Sequence, residues 1–494
     1  MNPTPISPLL VVSILVIYFG LLLTIAYITG KDADTQTFFT ANKSSPWYLV
    51  AFGMIGTSLS GVTFISVPGN VGNTQFAYFQ FVLGNVVGYF VIATVLMPLY
   101  YRLNLISIYT YLEQRFGFWA YKMGSFFFLL SRTVGAAFRL FLVAAVLQIG
   151  VYEQWGIPFW VNVLITIFLI WIYTFQGGIK TIVWTDTFQT FFLVSAVVIS
   201  VYLISKELGL SMGQMVSTVK GSDYSNMFVW DFKNNRYFFK QFFAGVFIAI
   251  AMTGLDQDLM QKNLTCKNLK EAQKNMFSFT IVFVCVNLLF LTLGALLYLY
   301  ANTKGIAIPA RTDYLYPTLA LNHFGLLAAV FFLLGITASS YASADSALAA
   351  LTTSFCIDFL DFKNKPEAQR EKIKFRVHIS FSVLLFLVIL LFEAINDESV
   401  VSAVFTAAGY TYGPLLGLFA FGLLTKLPVR DKYVPLVCLL SPIFCYIINT
   451  NSEAWLGGYK FGFEILILNG FLTFMGMLAL VKKTEQQPEK MKMS

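Results

Sequence analysis

Charged residues are scarce in this sequence, and their scarcity excludes most classes of soluble protein. Lysine, arginine, aspartate and glutamate make up 12% of the 494 residues, about half of the content of an ordinary soluble domain. Hydrophobic residues make up 57%. Since a soluble fold has too little interior to hide so much apolar surface, the composition predicts an integral membrane protein.

Cysteine and histidine are also rare. The five cysteines are odd in number and scattered, so they indicate neither a disulfide framework nor a metal cluster. The two histidines, His323 and His378, lie in separate segments, which argues against a zinc or haem site. We therefore expect no cofactor. The segments between apolar runs are too short for a soluble catalytic domain, so the sequence predicts a protein that is not an enzyme.

Long apolar runs are abundant. Runs of roughly 18 to 25 apolar residues match the length that a helix needs to cross a hydrocarbon core of about 30 Å. Thirteen such runs predict an all-α, polytopic membrane protein with thirteen transmembrane helices. They lie near residues 8–29, 46–69, 78–101, 121–151, 158–176, 183–206, 238–258, 274–301, 325–359, 372–394, 402–424, 433–449 and 457–481.

The basic residues are distributed unevenly between the loops that join these runs. If the N-terminus lies outside, most of the 33 lysine and arginine residues fall on cytoplasmic segments, including Lys262–Lys274, Lys363–Arg376 and Lys482–Lys492. Cytoplasmic loops of membrane proteins carry an excess of positive charge. The sequence thus predicts a plasma (inner) membrane protein with its N-terminus outside and its C-terminus cytoplasmic. The net charge of +8 then reflects topology, and we expect neither a nucleic-acid partner nor an obligate protein partner.

Two apolar segments, 53–69 and 245–261, combine membrane apolarity with clustered glycine and polar residues. Such helices can break inside the membrane where the freed backbone groups face protein or water, although glycine can also simply permit close helix packing. Asp256 and Asp258 fall at the end of the second segment. We expect these two carboxylates to be solvated or to have a helix-terminal role.

The two segments suggest an internal repeat. If each begins a five-helix unit, the second unit is inverted relative to the first, which is the plan of many secondary transporters. The predicted organisation is a first helix and loop over 1–45, inverted repeats over 46–206 and 238–424, an extracellular loop over 207–237, two peripheral helices over 425–481 and a basic cytoplasmic tail over 482–494.

Two arginines interrupt the fourth apolar run. Arg132 and Arg139 are seven residues apart, or two helical turns, so they share one face. A charge at the centre of a membrane helix costs roughly 2.5–3.5 kcal/mol on insertion scales and is generally turned toward a partner inside the protein. The arginines are therefore candidates for binding an anionic solute or for internal ion pairs with Asp186 or Asp345.

The ninth run is unusually rich in hydroxyl groups. Ser339, Ser343 and Ser346 recur at the spacing of one helix face, and Asp345 lies beside them. Hydroxyl and backbone oxygens suit a hard cation such as sodium, although serine in a membrane helix also bonds back to the preceding turn. Asp186, at the start of the sixth run, is either a functional carboxylate or an acidic residue favoured at a helix N-terminus.

Several of these segments, taken in order, resemble the sodium:solute symporter family. The resemblance extends over about 30–430 and rests on GTSLSGVTFISVPG at 56–69, YLEQRF at 111–116, GGIKTIVWTDTFQ at 177–189, DQDLMQK at 256–262, the serine-rich ninth run and GPLLGLFAFGLL at 413–424. It implies a LeuT-type fold with inverted five-helix repeats and a function as a sodium-coupled symporter. The second run is most similar to the bacterial sialic-acid symporters of that family.

The resemblance implies two sodium sites. The principal site would use three carbonyl oxygens and one hydroxyl oxygen, those of Gly56, Leu59, Ser339 and Ser343. Ala342 replaces one expected hydroxyl. A further sodium, present in some members, would use Asp186 and Ser346, and Asp345 stands where those members have a serine. The extra carboxylate predicts either a stronger second sodium site or a proton acceptor.

The resemblance also implies where the solute binds. The predicted side chains of the second and third helices are Thr57, Ser58, Ser60, Thr63, Gln80 and Phe81. The arginine that binds the solute carboxylate in the sialic-acid symporters aligns with Gly135, and Arg132 and Arg139 flank that position on the same face. We therefore assign both arginines to the solute site.

The expected function is sodium-coupled import of a small organic solute by alternating access, with the bilayer, sodium and the solute as partners. Two intramembrane arginines favour an acidic sugar, a carboxylate or another small anion. The alternatives are a proton-coupled carrier on the same fold and a non-transporting membrane sensor or channel.

Overall fold

The computed structural model describes residues 8–30, 39–360, 362–395 and 400–482, and within these ranges the chain is built from helices. They are α1 (Pro8–Gly30), α2 (Trp47–Ser58), α3 (Gly61–Thr74), α4 (Tyr78–Val91), α5 (Met97–Arg102), α6 (Thr110–Arg115), α7 (Phe118–Leu147), α8 (Phe159–Glu207), α9 (Met212–Gly221), α10 (Phe238–Ala249), α11 (Gln257–Asn263), α12 (Leu269–Lys304), α13 (Leu315–Asn322), α14 (Gly325–Phe359), α15 (Glu367–Ile395), α16 (Val400–Thr411), α17 (Gly413–Leu424), α18 (Val434–Trp455) and α19 (Ile465–Ala479). Extended pairing in the same ranges is limited to two isolated bridges. The predicted all-α class is confirmed.

Eight helical segments of the described residues are long and apolar enough to cross a membrane. Two bent pairs, α10 with α11 and α16 with α17, bring this number to ten. The other predicted runs fall on shorter apolar helices, Trp47–Ser58, Phe159–Thr174 and Ile465–Ala479. Each predicted run therefore coincides with helical structure, while a count of thirteen complete crossings stays a prediction.

The second predicted run is broken, as its composition indicates. α2 ends at Ser58 and α3 begins at Gly61, because Ser60 leaves the helical region of backbone space (φ −18°, ψ 171°). The last carbonyl groups of a helix lack helical partners. Here the Ile55 carbonyl accepts a hydrogen bond from the Leu59 amide (2.8 Å), and the next carbonyls are left available to groups outside the helix.

The seventh predicted run is broken in a similar place. A π-helical turn, Ile250–Gly254, follows α10, and the chain bends by 70° before α11. Asp256 caps α11 by accepting a hydrogen bond from the Asp258 amide (2.9 Å). Both carboxylates are fully buried, because the bend directs α11 into the protein. The predicted helix-terminal position is correct, and the solvated alternative is wrong.

α14 lies at the centre of the molecule. Every residue from Gly335 to Ser354 is buried, and the helix packs against α2, α3, α7, α8 and α15. In contrast, α1 and α18 expose large apolar side chains such as Leu9, Ile28 and Leu436, as lipid-facing helices do. The hydroxyl-rich run is therefore kept away from lipid by the surrounding helices.

The predicted domain boundaries stay predictions. The basic tail lies outside the described residues from position 483 onward, as do residues 31–38 of the first predicted loop. Residues 207–237, predicted as a loop between the repeats, contain the short helix α9 and a hydrogen-bonded segment that leads into α10.

Candidate solute and cation site

A small cavity lies at the break between α2 and α3. Its volume is about 80 Å³. Its polar lining is formed by Thr57, Ser58, Ser60, Thr63, Asn85 and Arg139, and its aromatic walls include Tyr78, Phe81, Tyr89 and Phe405. The structure thus brings the four predicted polar residues of the broken helix together with Phe81 and with one of the two arginines.

Gln80, also predicted at this site, lies elsewhere. Its Nε2 atom donates to the carbonyl oxygens of Ala77 (3.1 Å) and Arg236 (3.0 Å), and its Oε1 atom accepts from the Val229 amide (3.0 Å). These bonds hold the segment before α10 against the start of α4. Neighbouring side chains on a helix point in different directions, which is why Phe81 lines the cavity and Gln80 does not.

One predicted ligand of the principal sodium site, Ser343, lies where α14 passes the break. The Ser343 hydroxyl donates to the Thr57 carbonyl at 3.0 Å, which places this hydroxyl beside the open end of α2. The Ser339 hydroxyl bonds back to the Ile336 carbonyl (3.0 Å), so the carbonyl and not the hydroxyl of Ser339 is the oxygen to consider. Ala342, one residue before Ser343, supplies no side-chain oxygen.

A glycine sets the distance between the break and α14. A Cβ atom built on Gly61 would lie 2.1 Å from the Ser340 hydroxyl oxygen and 3.5 Å from that of Ser339. The shorter distance is closer than any real Cβ contact. Glycine at this position therefore allows the backbone at the break to approach the serines of α14 closely.

Asp186 is held by a lysine. The Thr57 hydroxyl donates to the Asp186 carboxylate at 3.1 Å, and the Lys262 ammonium forms an ion pair with the same carboxylate oxygen and a hydrogen bond with the Thr57 hydroxyl. The Lys262 side chain is only 1% exposed. The assignment of Lys262 to a cytoplasmic loop is therefore wrong, because α11 turns into the protein after the 70° bend.

Asp345 and Ser346, the other predicted ligands of a second sodium, have partners of their own. The Asp345 carboxylate accepts hydrogen bonds from the Tyr173 hydroxyl (2.9 Å) and from the Ser346 amide. The Ser346 hydroxyl is 2.8 Å from the Ala342 carbonyl and 3.2 Å from the Asp258 carboxylate. The structure therefore gives Asp345 and Ser346 partners within the protein, whereas the Oδ1 atom of Asp186 makes no hydrogen bond among the described residues.

Arg132 forms a buried ion pair with Asp258 of α11. Its guanidinium also contacts the Ser343 carbonyl (3.4 Å). The predicted partners Asp186 and Asp345 contact other groups. The prediction of an internal ion pair for Arg132 is therefore correct, but its partner is Asp258. A capped helix after a sharp bend brings Asp258 to α7, and the linear sequence contains no sign of that approach.

Arg139 is the arginine that faces the cavity. It is 9% exposed, and its Nε atom has no hydrogen-bond partner in the described part of the chain. None of the ion pairs found among the described residues involves Arg139. A buried cation without a carboxylate partner is costly, so Arg139 is suited to an anion that arrives from outside.

Two buried charged side chains beside the predicted site, Lys262 and Asp258, were not assigned to it from the sequence. They are four residues apart on one helix, a spacing that usually gives an exposed ion pair along that helix. In the structure each pairs with a different helix instead. The available signal was that Asp258 lies within the apolar, glycine-containing segment 245–261 and that Lys262 follows it directly.

Comparison with known proteins gives this arrangement a context. The sequence profile of the sodium:solute symporter family matches residues 38–427, which is most of the chain. The chain belongs to the sodium:solute symporter family. This symporter is 24% identical to the sodium/sialic acid symporter NanT of Aliivibrio fischeri, over 83% of its own length and 82% of the relative.

Other relatives of the symporter have different solutes in their names. The sodium-coupled monocarboxylate transporter 1 of Xenopus laevis is 25% identical over 88% of this chain and 69% of the relative. The human sodium/iodide cotransporter is 22% identical over 83% of this chain and 64% of the relative. These proteins are membrane transporters and not enzymes, and the symporter is accordingly an integral membrane protein with sodium as its coupling ion.

Solved structures agree on the fold. The substrate-bound, outward-open structure of a sodium-coupled sialic acid symporter superposes with a TM-score of 0.81 at 20% identity, covering 95% of this chain and 97% of that one. Mhp1, a nucleobase-cation-symport-1 transporter, superposes with a TM-score of 0.55 at 13% identity over 90% and 93%. The helices described above therefore adopt the architecture of LeuT-like sodium-coupled transporters.

Proposed function

We propose that the symporter imports a small organic anion together with sodium, with the solute bound at the break of α2 and α3. The observation that carries this proposal is Arg139, a buried guanidinium that faces the cavity and has no ion pair among the described residues. A guanidinium binds a carboxylate through two parallel hydrogen bonds. The hydroxyl groups of Ser58 and Ser60, which also line the cavity, can hold further polar atoms of the same solute.

An acidic sugar or another carboxylate fits this lining best. Polar hydroxyls on one side and aromatic rings on the other suit a solute that has both hydroxyl groups and an apolar face. Relatives that carry sialic acid or monocarboxylates in their names support the same chemical class. Gly135 is the position that aligns with the carboxylate-binding arginine of the sialic-acid symporters. Arg139 lies one helical turn from it and supplies the positive charge in its place. A Cβ atom built on Gly135 would have no atom within 4 Å.

The size of the cavity supports alternating access. A volume of about 80 Å³ is well below the roughly 300–1,000 Å³ of typical ligand pockets. A second cavity of about 270 Å³ shares Tyr78 and Val401 with the first. A solute that reaches the central site from this second cavity must therefore separate these two side chains. We infer that the repeats over 46–206 and 238–424, which both start with a broken helix, rock against each other in this step.

The coupling sodium binds, in this proposal, between the break and α14. Its ligands are the carbonyl oxygens of Gly56, Leu59 and Ser339 and the hydroxyl of Ser343. The position of Ser343 at 3.0 Å from the Thr57 carbonyl supports this arrangement. Sodium joins α14 to the broken helix, and the same break lines the solute cavity, so each ligand favours the conformation that binds the other.

Removal of the Ser343 hydroxyl tests this sodium site. A hydrogen-bonding or ligating group that faces a charge is worth roughly 1.5–3 kcal/mol, so we expect Ser343→Ala to weaken sodium binding by about tenfold to a hundredfold. The matched control is Ser340→Ala, because the Ser340 hydroxyl is buried on the same helix without a hydrogen-bond partner in the described structure. Equal sodium affinities of the two variants, measured by sodium-dependent thermal stabilisation, would contradict the assignment.

Uptake into proteoliposomes tests the function as a whole. We expect purified protein to accumulate radiolabelled sialic acid or a monocarboxylate when sodium is outside, and not when sodium is replaced by potassium at equal ionic strength. A thermal-shift screen of candidate solutes in sodium and in choline buffer would select the solute, since a ligand of the folded state raises its melting temperature. Equal uptake in both salts for every solute would refute sodium coupling.

Proton coupling through Asp345 is the second candidate, because Asp345 is a fully buried carboxylate without an ion pair among the described residues. If a proton drives transport, Asp345→Asn abolishes the dependence of uptake on a pH gradient and leaves no strong response to sodium. We expect instead that Asp345→Asn retains sodium-dependent uptake at fixed pH.

The orientation is part of the proposal. The distribution of basic residues favours the plasma (inner) membrane with the N-terminus outside and the C-terminus in the cytoplasm. With this orientation, the cavity lined by Arg236 and Asn235 lies on the outer side, from which a solute would be imported.

A further inference from the structure

The Lys262 ammonium lies where a second sodium would be expected. It contacts one Asp186 carboxylate oxygen and the Thr57 hydroxyl, and the whole side chain is buried in the described structure. Asp186 is the residue on which the second sodium site was predicted. The three groups come from three helices, α11, α8 and α2, so the packing of the core, and not one flexible side chain, sets their position.

A lysine ammonium and a sodium ion compete for the same ligands. Each carries one positive charge, and each is stabilised by oxygen atoms that surround it. Lys262 uses its ammonium hydrogens as donors to Asp186 and Thr57, whereas sodium would require the same oxygen lone pairs. Both cations cannot occupy this position together.

The charges of the surrounding groups lead to the same conclusion. The Asp186 carboxylate and the Lys262 ammonium neutralise each other, so Asp186 gives an added sodium no net attraction, and only its Oδ1 atom is without a hydrogen bond among the described residues. Asp345, the other predicted carboxylate ligand, accepts hydrogen bonds from the Tyr173 hydroxyl and the Ser346 amide. Ser346 bonds to Ala342 and lies against Asp258. The carboxylate on which the second sodium was predicted is therefore already paired with a cation.

We propose that Lys262 is a tethered cation that replaces the second sodium, so that the symporter binds and transports a single sodium ion in each cycle. This inference rests on the proposed function only for its sodium coupling. Because Lys262 is covalently part of α11, its charge is not released with the solute. One sodium with one monoanionic solute then carries no net charge, and transport of such a solute would be insensitive to membrane voltage.

Direct counting of bound sodium tests the proposal without knowledge of the solute. The probe is radioactive ²²Na⁺ alone, measured by equilibrium binding to the purified full-length protein. We expect one sodium per chain in the wild type, with a Hill coefficient of one. Lys262→Arg, which keeps the positive charge, should also bind one.

Removal of the lysine should open the second site. In Lys262→Met the Asp186 carboxylate loses its partner, and we expect two sodium ions per chain. In the double variant Lys262→Met with Asp186→Asn, both charges are absent and the number should return to one. This double variant also shows whether a protein without the pair folds.

The outcomes are distinguishable. Two sodium ions in the wild type, or one in a folded Lys262→Met variant, would overturn the role of Lys262. If Lys262→Met does not fold, the wild-type count alone decides between one sodium and two. No sodium binding in the folded wild type would instead refute the sodium coupling on which the inference rests.

Discussion

Arg139→Gln is expected to reduce uptake of the anionic solute by about a hundredfold or more while sodium binding is retained. Arg139 is the arginine of the central cavity, and it has no ion pair among the described residues. Two charge-assisted hydrogen bonds to a carboxylate, each worth roughly 1.5–3 kcal/mol, correspond to a loss of this size or larger. The measurement is initial uptake into proteoliposomes under a fixed sodium gradient.

Arg139→Lys provides the graded control. Lysine keeps the charge but not the planar pair of donors that matches a carboxylate, so its uptake should lie between the wild type and Arg139→Gln. Sodium-dependent thermal stabilisation should be similar in all three proteins. If Arg139→Gln transported the anion as fast as the wild type, the solute would not be held by this guanidinium.

Arg132→Met is expected to lower the stability of the protein strongly, whereas the Arg139 variants are expected to affect solute uptake. Arg132 and Asp258 form an ion pair in which the side chains are 3% and 0% exposed. Removal of one member of such a pair leaves an uncompensated buried charge, which costs about 3–5 kcal/mol. We expect the free energy of unfolding, measured by chemical denaturation in detergent micelles, to fall by about this amount.

The same substitution seven residues further along α7 is the matched control. Arg139→Met removes an arginine from the same helix and a similar depth, but it breaks no ion pair among the described residues, so it should destabilise the protein much less than Arg132→Met. Arg132→Met combined with Asp258→Asn should recover much of the lost stability, because the buried negative charge is also removed. An equal destabilisation by Arg132→Met and Arg139→Met would show that the ion pair is not the cause.

These two predictions separate residues that the sequence treats alike. Arg132 and Arg139 lie on one face of one helix, and each is an unusual charge in an apolar run. Helical periodicity places them relative to each other and to α7. It does not place α11, whose bend brings Asp258 to Arg132 and leaves Arg139 without an equivalent partner in the described structure.

The sequence alone determined the properties that depend on local composition and period. These are the all-α membrane class and the presence of a break within each of the segments 53–69 and 245–261, because insertion into lipid and backbone satisfaction act on each segment by itself. Only the tertiary structure decided which basic side chain pairs with which carboxylate. It paired Lys262 with Asp186 and Arg132 with Asp258 and left Arg139 facing the cavity, since contacts between helices depend on how bent and packed segments approach each other in space.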